Sequence, residues 1–150
     1  MSNIKLNNIF KTACIASDHA GFNLKEDIKN YLINNNFPVF DLGPFTDQSV
    51  DYPDYAKKLG NRIRLKKSDV GILVCGSGTG MAISANKIKT IRAAVCYNLK
   101  STRLSRQHNN ANIIALGARF TNKKLSLKLV ETFLKTKFEG GRHLRRVKKI

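Results

Sequence analysis

The feature that most constrains this chain is the run Val70-Gly71-Ile72-Leu73-Val74-Cys75, which has no polar residue at either parity. A strand with one wet face alternates apolar and polar residues, whereas a strand apolar on both faces must be covered on both. The run is too short for a helix of its own and far too short to cross a bilayer. Similar short apolar runs occupy Thr12–Ser17, Phe37–Leu42, Ile91–Cys96 and Asn112–Leu116. Between and after them lie amphipathic stretches at Phe22–Ile33, Tyr55–Leu65, Met81–Ile88 and Ser126–Leu134, with a polar helical stretch at Ser101–Asn109.

Five buried strands alternating with helices predict an α/β fold. The expected form is a three-layer αβα sandwich around a five-stranded parallel sheet of Rossmann-like, flavodoxin-like type, with strand order 2-1-3-4-5. No Pro/Gly/Ser-rich linker or repeat divides the sequence, so residues 1–150 read as one domain, with the first ten as an extension. In that order the switch point, where the strand order reverses, lies between strands 1 and 3, and ligands bind beyond the carboxyl ends of the flanking strands. The segments to inspect are therefore Ser17–Gly21 and Cys75–Gly80.

Both carry chemistry. Asp18 and His19 sit side by side where the first strand gives way to a helix. An Asp there also suits plain helix capping, but a cap needs no histidine. The loop Gly76-Ser77-Gly78-Thr79-Gly80 alternates three glycines, which lets backbone N–H groups turn toward an anion. It is not a dinucleotide fingerprint, because Met81 stands where the last glycine would be, and no Gly-Lys-Ser/Thr makes it a P-loop. Cys75 closes its strand beside this nest, where a thiolate would be stabilised. Cys14 and Cys96, inside strands, read as buried structural thiols. His108 and Asn109 follow a polar helical stretch, where a lone histidine is as readily a surface residue. Arg142 and Arg146 lie four apart in a basic tail, so one helical face would present both to a phosphate; a solvated charge run is the alternative.

Composition narrows the class. The chain carries 27 Lys+Arg against 10 Asp+Glu, a formal net charge of +17, and 42% hydrophobic residues. That excludes general disorder and allows either a nucleic-acid partner or a small anionic substrate. Nucleic acid is disfavoured, because no recognised binding motif is present and the aromatics do not interleave with the cations. Three cysteines without a CxxC pair argue against a disulfide framework and for a reducing, cytoplasmic setting. No signal-peptide core or membrane span is expected. His19, His108 and His143 are far apart and form no metal-ligand spacing, so no metal is expected.

Six ordered blocks carry a resemblance that covers nearly the whole chain from about Cys14. They are SDHAGFNLK (17–25), DYPDYA (51–56), GILVCGSGTGMAISANK (71–87), IRAAVC (91–96), LSRQHNNANIIALGAR (104–119) and FEGGRHLRRV (138–147). Together they resemble the ribose-5-phosphate isomerase type B family, which also includes galactose-6-phosphate isomerase subunits. The resemblance implies an aldose–ketose isomerase acting on ribose 5-phosphate and ribulose 5-phosphate, in the non-oxidative pentose phosphate pathway, through an enediolate. It implies Cys75 as the base, the Gly76–Gly80 loop as the anion hole, and His108 with Asp18 in ring opening. Ser77, where many members have Thr, supplies a hydroxyl to the catalytic set. Tyr52 and Asn109 match substrate-contacting positions, and His19, Arg119, Arg142 and Arg146 match the phosphate-binding set.

Some members use a Glu a few residues after the glycine loop as base, with Ser at the Cys position; Met81–Asn86 contains no carboxylate. The resemblance further implies a homodimer or homotetramer whose sites combine residues of two subunits, and no metal or organic cofactor. Allose 6-phosphate and galactose 6-phosphate are the alternative substrates within the family.

Overall fold

The computed structural model describes residues 9–150, so most of the expected extension lies outside the described residues. Phe10 packs against the core, with the Arg106 guanidinium 4.8 Å from its ring centroid. Five strands form the sheet: β1 (Ala13–Ser17), β2 (Val39–Asp41), β3 (Val70–Cys75), β4 (Ala93–Val95) and β5 (Ile113–Gly117). Six helices complete the described chain: α1 (Phe22–Asn34), α2 (Tyr52–Arg64), α3 (Thr79–Ala85), α4 (Leu99–Gln107), α5 (Lys123–Lys135) and α6 (Arg142–Val147).

All strand pairs are parallel, as expected. The order, however, is β2-β1-β3-β5-β4, which corrects the expected 2-1-3-4-5 at its last two places. Burial explains the exchange. Ile113-Ile114-Ala115-Leu116-Gly117 is fully buried, as suits a strand between two neighbours, whereas the three residues of β4 are only half-buried and form the edge. Right-handed crossovers then fix the layers. The chain moves one way across the sheet through α2 and α3, which pack on each other, and returns through α1 and α4, which lie with α5 on the other face. The two faces bury separate clusters. One includes Ile15, Ile28, Leu32, Ile72, Val130 and Phe133; the other includes Ala56, Leu59, Leu73, Met81 and Ile113.

Several helices start earlier than the hydrophobic pattern suggests, because polar residues initiate them. Pro53 sits in the first turn of α2, where its missing N–H is harmless, so that helix begins at Tyr52 rather than Tyr55. The Asn98 and Asn122 side chains accept the Ser101 and Leu125 amides at 2.8 Å, capping α4 and α5.

One polar interaction joins the layers to the turn after β1. Lys25 is fully buried, and its Nζ lies 2.7 Å from Asp41 Oδ2 and 2.9 Å from Glu26 Oε1. Asp41 Oδ1 accepts the Gly43 amide at 2.9 Å, and the Gly43 carbonyl accepts the Ser17 amide at 3.1 Å. Burial by itself would raise the Asp41 carboxyl, but Lys25, the Gly43 amide and Lys29 outweigh it and hold it below the ordinary carboxylate range.

Removing one partner of a buried pair leaves an uncompensated charge. Asp41→Ala should therefore cost about 3–5 kcal/mol by urea unfolding, and the paired replacement Lys25→Met/Asp41→Leu should recover most of it. Because the folded Asp41 binds its proton less readily than the unfolded one, its stabilisation is complete at neutral pH and is lost as pH falls through the acid range. A wild-type stability that does not fall there more steeply than that of the double variant would remove Asp41 from the ledger.

Candidate active site

The carboxyl ends of β1, β3 and β5 meet at one edge of the sheet. Cys75 is the last residue of β3 and pairs with Gly117, the last of β5. Gly78 takes φ +80°, a left-handed conformation that favours glycine, and turns the chain sharply into α3. That turn aims the Gly78 N–H at Cys75 Sγ, 3.0 Å away. Gly117 permits it, since a Cβ there would stand 2.7 Å from the Ser77 carbonyl oxygen. The Thr79 amide donates to the Ser77 hydroxyl at 3.2 Å. The amides of Gly76, Ser77 and Gly80 donate to no group among the described residues, which leaves them for an anion.

Asp18 and His19 stand beside this loop. The Asp18 amide donates to Val74 O at 3.1 Å, and its Oδ1 accepts the Gly21 amide at 2.9 Å, so one carboxylate oxygen does serve the turn into α1. Asp18 is buried and His19 exposed. His19 Nδ1 accepts the Val50 amide at 3.3 Å, so in the neutral ring Nε2 holds the proton and faces outward as a donor. Arg119 and Tyr52 close the other sides: a Cβ on Gly76 would lie 3.0 Å from Arg119 Nη1, and one on Gly80 would lie 2.8 Å from the Tyr52 ring. Asp18, His19, Tyr52, Cys75, the Gly76–Gly80 loop with its Ser77 and Thr79, and Arg119 thus form one cluster. Among the cysteines, burial pushes the Cys14 thiol up to about 12 and also raises Cys96, as suits structural thiols.

The remaining expected residues are elsewhere. His108 ends α4, which carries the chain back to the opposite edge, where β5 begins. That edge is separated from Cys75 by the length of the strands, roughly 13 Å for the four steps from Gly71 to Cys75. The Glu139 amide donates to Gln107 O at 3.1 Å and brings α6 to the same place. His143 stacks on His108 with ring centroids 4.2 Å apart and planes 13° apart. His108, Asn109, His143 and Arg146 line a depression of about 260 Å³, and Arg142 opens α6 beside them. The expected partnership of Asp18 with His108 is therefore not made within one chain.

His143 is not among the residues expected from the sequence, although it lies in the same basic block as Arg142 and Arg146. Its signal was its place one residue beyond Arg142, which a six-residue helix turns inward. The His108, His143 and Glu139 ligand atoms lie within 4.8 Å of one another, a spacing that three separated sequence positions did not show. Burial, the neighbouring His108 and Arg142 together hold the His143 imidazole below its ordinary value, against a smaller opposing effect of Glu139.

The chain as a whole has relatives among known proteins. The family model for ribose/galactose isomerase matches residues 13–150. Ribose-5-phosphate isomerase B of Escherichia coli is 40% identical over 140 residues, covering 93% of this chain and 94% of that protein. The crystal structure of a ribose 5-phosphate isomerase of Thermotoga maritima superposes with a TM-score of 0.91 at 51% identity, covering 92% of this chain and 95% of that one. Ribose-5-phosphate isomerase B of Mycoplasma genitalium, solved with bound ribulose 5-phosphate, superposes with a TM-score of 0.87 at 44% identity, covering 92% of each chain.

The stacked imidazoles give a direct test. In proton NMR, His143 should titrate below an ordinary histidine, and Arg142→Gln should move its midpoint upward by removing a neighbouring cation. An unmoved midpoint would mean that Arg142 does not act on the ring. Since the unfolded imidazole binds a proton that the folded one resists, this group lowers stability as pH falls below about 6.5.

Proposed function

The chain belongs to the ribose/galactose isomerase family, and from that membership we propose that it interconverts D-ribose 5-phosphate and D-ribulose 5-phosphate. The observation that carries this reading is the Gly78 N–H held on Cys75 Sγ within a loop whose other amides are unused. It supports reading the Cys75 sulfur as the base and the unused amides as an oxyanion hole of the same site.

The chemistry is an internal redox exchange and needs no outside oxidant or reductant. With the sugar open, the Cys75 thiolate removes the C2 proton of the aldose. The electron pair forms the C1–C2 double bond of an enediolate, and the charge settles on the oxygen at C1. Loop amides aimed at that oxygen stabilise charge where it develops, usually the largest catalytic contribution. The Cys75 thiol then returns the proton to C1, while the hydroxyl at C2 passes its proton to the oxygen at C1 and becomes the ketone, leaving a hydroxyl at C1. Asp18 lies beside the loop, where its free oxygen serves proton movement between the hydroxyls. Ser77 supplies a further hydroxyl, and Tyr52 closes the pocket over Gly80.

Ring opening and phosphate binding call for the other half-site. His108 supplies the imidazole for opening, Asn109 a hydrogen-bonding amide, and Arg142 and Arg146 a pair of guanidinium forks one helical turn apart for the phosphate. His19 and Arg119 complete the phosphate set from the Cys75 edge. Because one chain holds the halves at opposite edges, we assign the complete site to a homodimer in which each copy's His108 edge faces the other's Cys75 edge. A two-fold pair forms two such sites at once. The three free cysteines suit the cytoplasm, and the reaction belongs to the non-oxidative pentose phosphate pathway.

Cys75→Ala should lower kcat by about a thousandfold or more with ribose 5-phosphate still bound, in a coupled assay that also compares allose 6-phosphate and galactose 6-phosphate. Turnover at the wild-type rate would remove Cys75 as the base, and a preference for a hexose phosphate would reassign the substrate. Arg142→Ala should mainly raise KM, by about tenfold or more, the worth of a charged hydrogen bond to a phosphate. Mixing inactive Cys75→Ala and His108→Ala chains should restore about a quarter of wild-type activity, since half the pairs are mixed and each mixed pair has one intact site. No recovery on exchange would place the whole site within a single chain.

A further inference from the structure

The geometry points to Tyr97, in the turn between β4 and α4, as a positioning residue that sets the Cys75 sulfur through the single peptide unit joining Ser77 to Gly78. The inference rests on the reading of Cys75 as the base, but its test does not require isomerase activity. Tyr97 lies just beyond β4 at the carboxyl edge of the sheet and belongs to none of the groups assigned above to the substrate. Its hydroxyl donates to the Ser77 carbonyl oxygen at 2.7 Å. The amide on the other side of that peptide is the Gly78 N–H, which donates to Cys75 Sγ at 3.0 Å. One planar unit therefore receives a hydrogen bond at its oxygen and gives one from its nitrogen.

Two physical effects follow. The first is orientation. A peptide flanked by a glycine at φ +80° flips at little steric cost, because glycine occupies both signs of φ readily. Flipped, the unit would present its carbonyl oxygen to the sulfur and repel a thiolate. The Tyr97 hydroxyl holds the carbonyl on the far side, where it lies against Gly117. The second is polarisation. Donation into a carbonyl draws electron density toward its oxygen and leaves the N–H a stronger donor, as in any hydrogen-bonded chain in a low-dielectric site.

Tyr97 is itself held. Its ring meets Phe120 edge-on, with centroids 5.6 Å apart and planes at 72°, and it is 40% exposed. Phe120 follows β5 by three residues, so the hydroxyl is carried by the turns after β4 and β5 together. The other charged and titratable groups around Cys75 and its loop are Asp18 and His19 after β1, Arg119 after β5 and Tyr52 at the start of α2. None of them reaches the Ser77 carbonyl among the described residues.

The test is Tyr97→Phe, which removes one oxygen from a partly exposed ring. The readout is the ionisation of Cys75, followed by thiolate ultraviolet absorbance as the difference between each protein and its Cys75→Ser counterpart. The variant should titrate about half a pH unit higher, a roughly threefold loss of thiolate below the midpoint, the scale of one weakened hydrogen bond. The acid limb of the kcat/KM profile should move by the same amount. An unmoved Cys75 titration in a variant with wild-type circular dichroism would overturn the inference, even if kcat fell. A shifted titration in a protein that isomerises no pentose phosphate would sustain the inference and overturn the proposed function. If the variant does not fold, the wild-type chain decides: the Gly78 amide proton should move with the Cys75 titration in NMR, and a stationary signal would overturn the relay.

Discussion

In a sheet whose strands all run one way, every turn from strand to helix lies at one edge and every turn from helix to strand at the other. This constraint governs the rest of the molecule. Asp18, Cys75 and its loop, and Arg119 all follow strands, so they share an edge. His108 and Asn109 follow a helix and precede a strand, so they cannot join them. Arg142 and Arg146 come after α5, which returns the chain to the same far edge as α4. No rotamer change closes a gap set by the length of the strands. On the proposed function, residues needed for one small substrate would therefore meet only when a second copy supplies the missing edge, and that is the physical basis for the proposed pair.

Within one edge, precision comes from backbone contacts more than from side chains. The Ser77–Gly78 peptide is wedged between a sulfur, a phenol and the bare face of Gly117. The turn after β1 is fixed from below. Lys25 clamps Asp41, Asp41 holds the Gly43 amide, and the Gly43 carbonyl holds the Ser17 amide, immediately before Asp18. A buried ion pair is rarely a net gain over apolar packing. Here its value is positional, because the chain of hydrogen bonds ends at the residue next to a site carboxylate.

Much of this was legible in the residues. Val70–Cys75 announced a central parallel strand, and the glycines after it announced a tight turn with unused amides at its carboxyl end. The strand order was only partly legible, because the pattern marks Ile91–Cys96 and Asn112–Leu116 alike as apolar. What distinguishes them is how many residues actually pair: β4 contributes three half-buried residues and β5 five buried ones. Lys25 was invisible as a core residue because its charge argues for solvent until Asp41 arrives from another strand. Tyr97 gave no signal either, since a phenol that bonds a main-chain carbonyl twenty residues away leaves no spacing to read. His143 differs from both: it sat inside a quoted motif, and only the stacking on His108 shows why a histidine stands there.

The positive charge acquires a spatial meaning from the same topology. Lys57, Lys58, Arg64, Lys66 and Lys67 are exposed on α2 and the turn after it, and none of them is part of either half-site. They act only through the field, which is screened over about 10 Å at moderate ionic strength and raises encounter with an anion without holding it. Arg142 and Arg146 are different in kind, since two forks one helical turn apart match a phosphate at short range. Two copies, each with a formal charge of +17, repel as they approach. In the proposed pair, a phosphate dianion seated between the arginines of one copy and the histidine and arginine of the other would offset part of that repulsion. Substrate binding and pairing would then favour one another, with the loop amides and Cys75 already set within one chain.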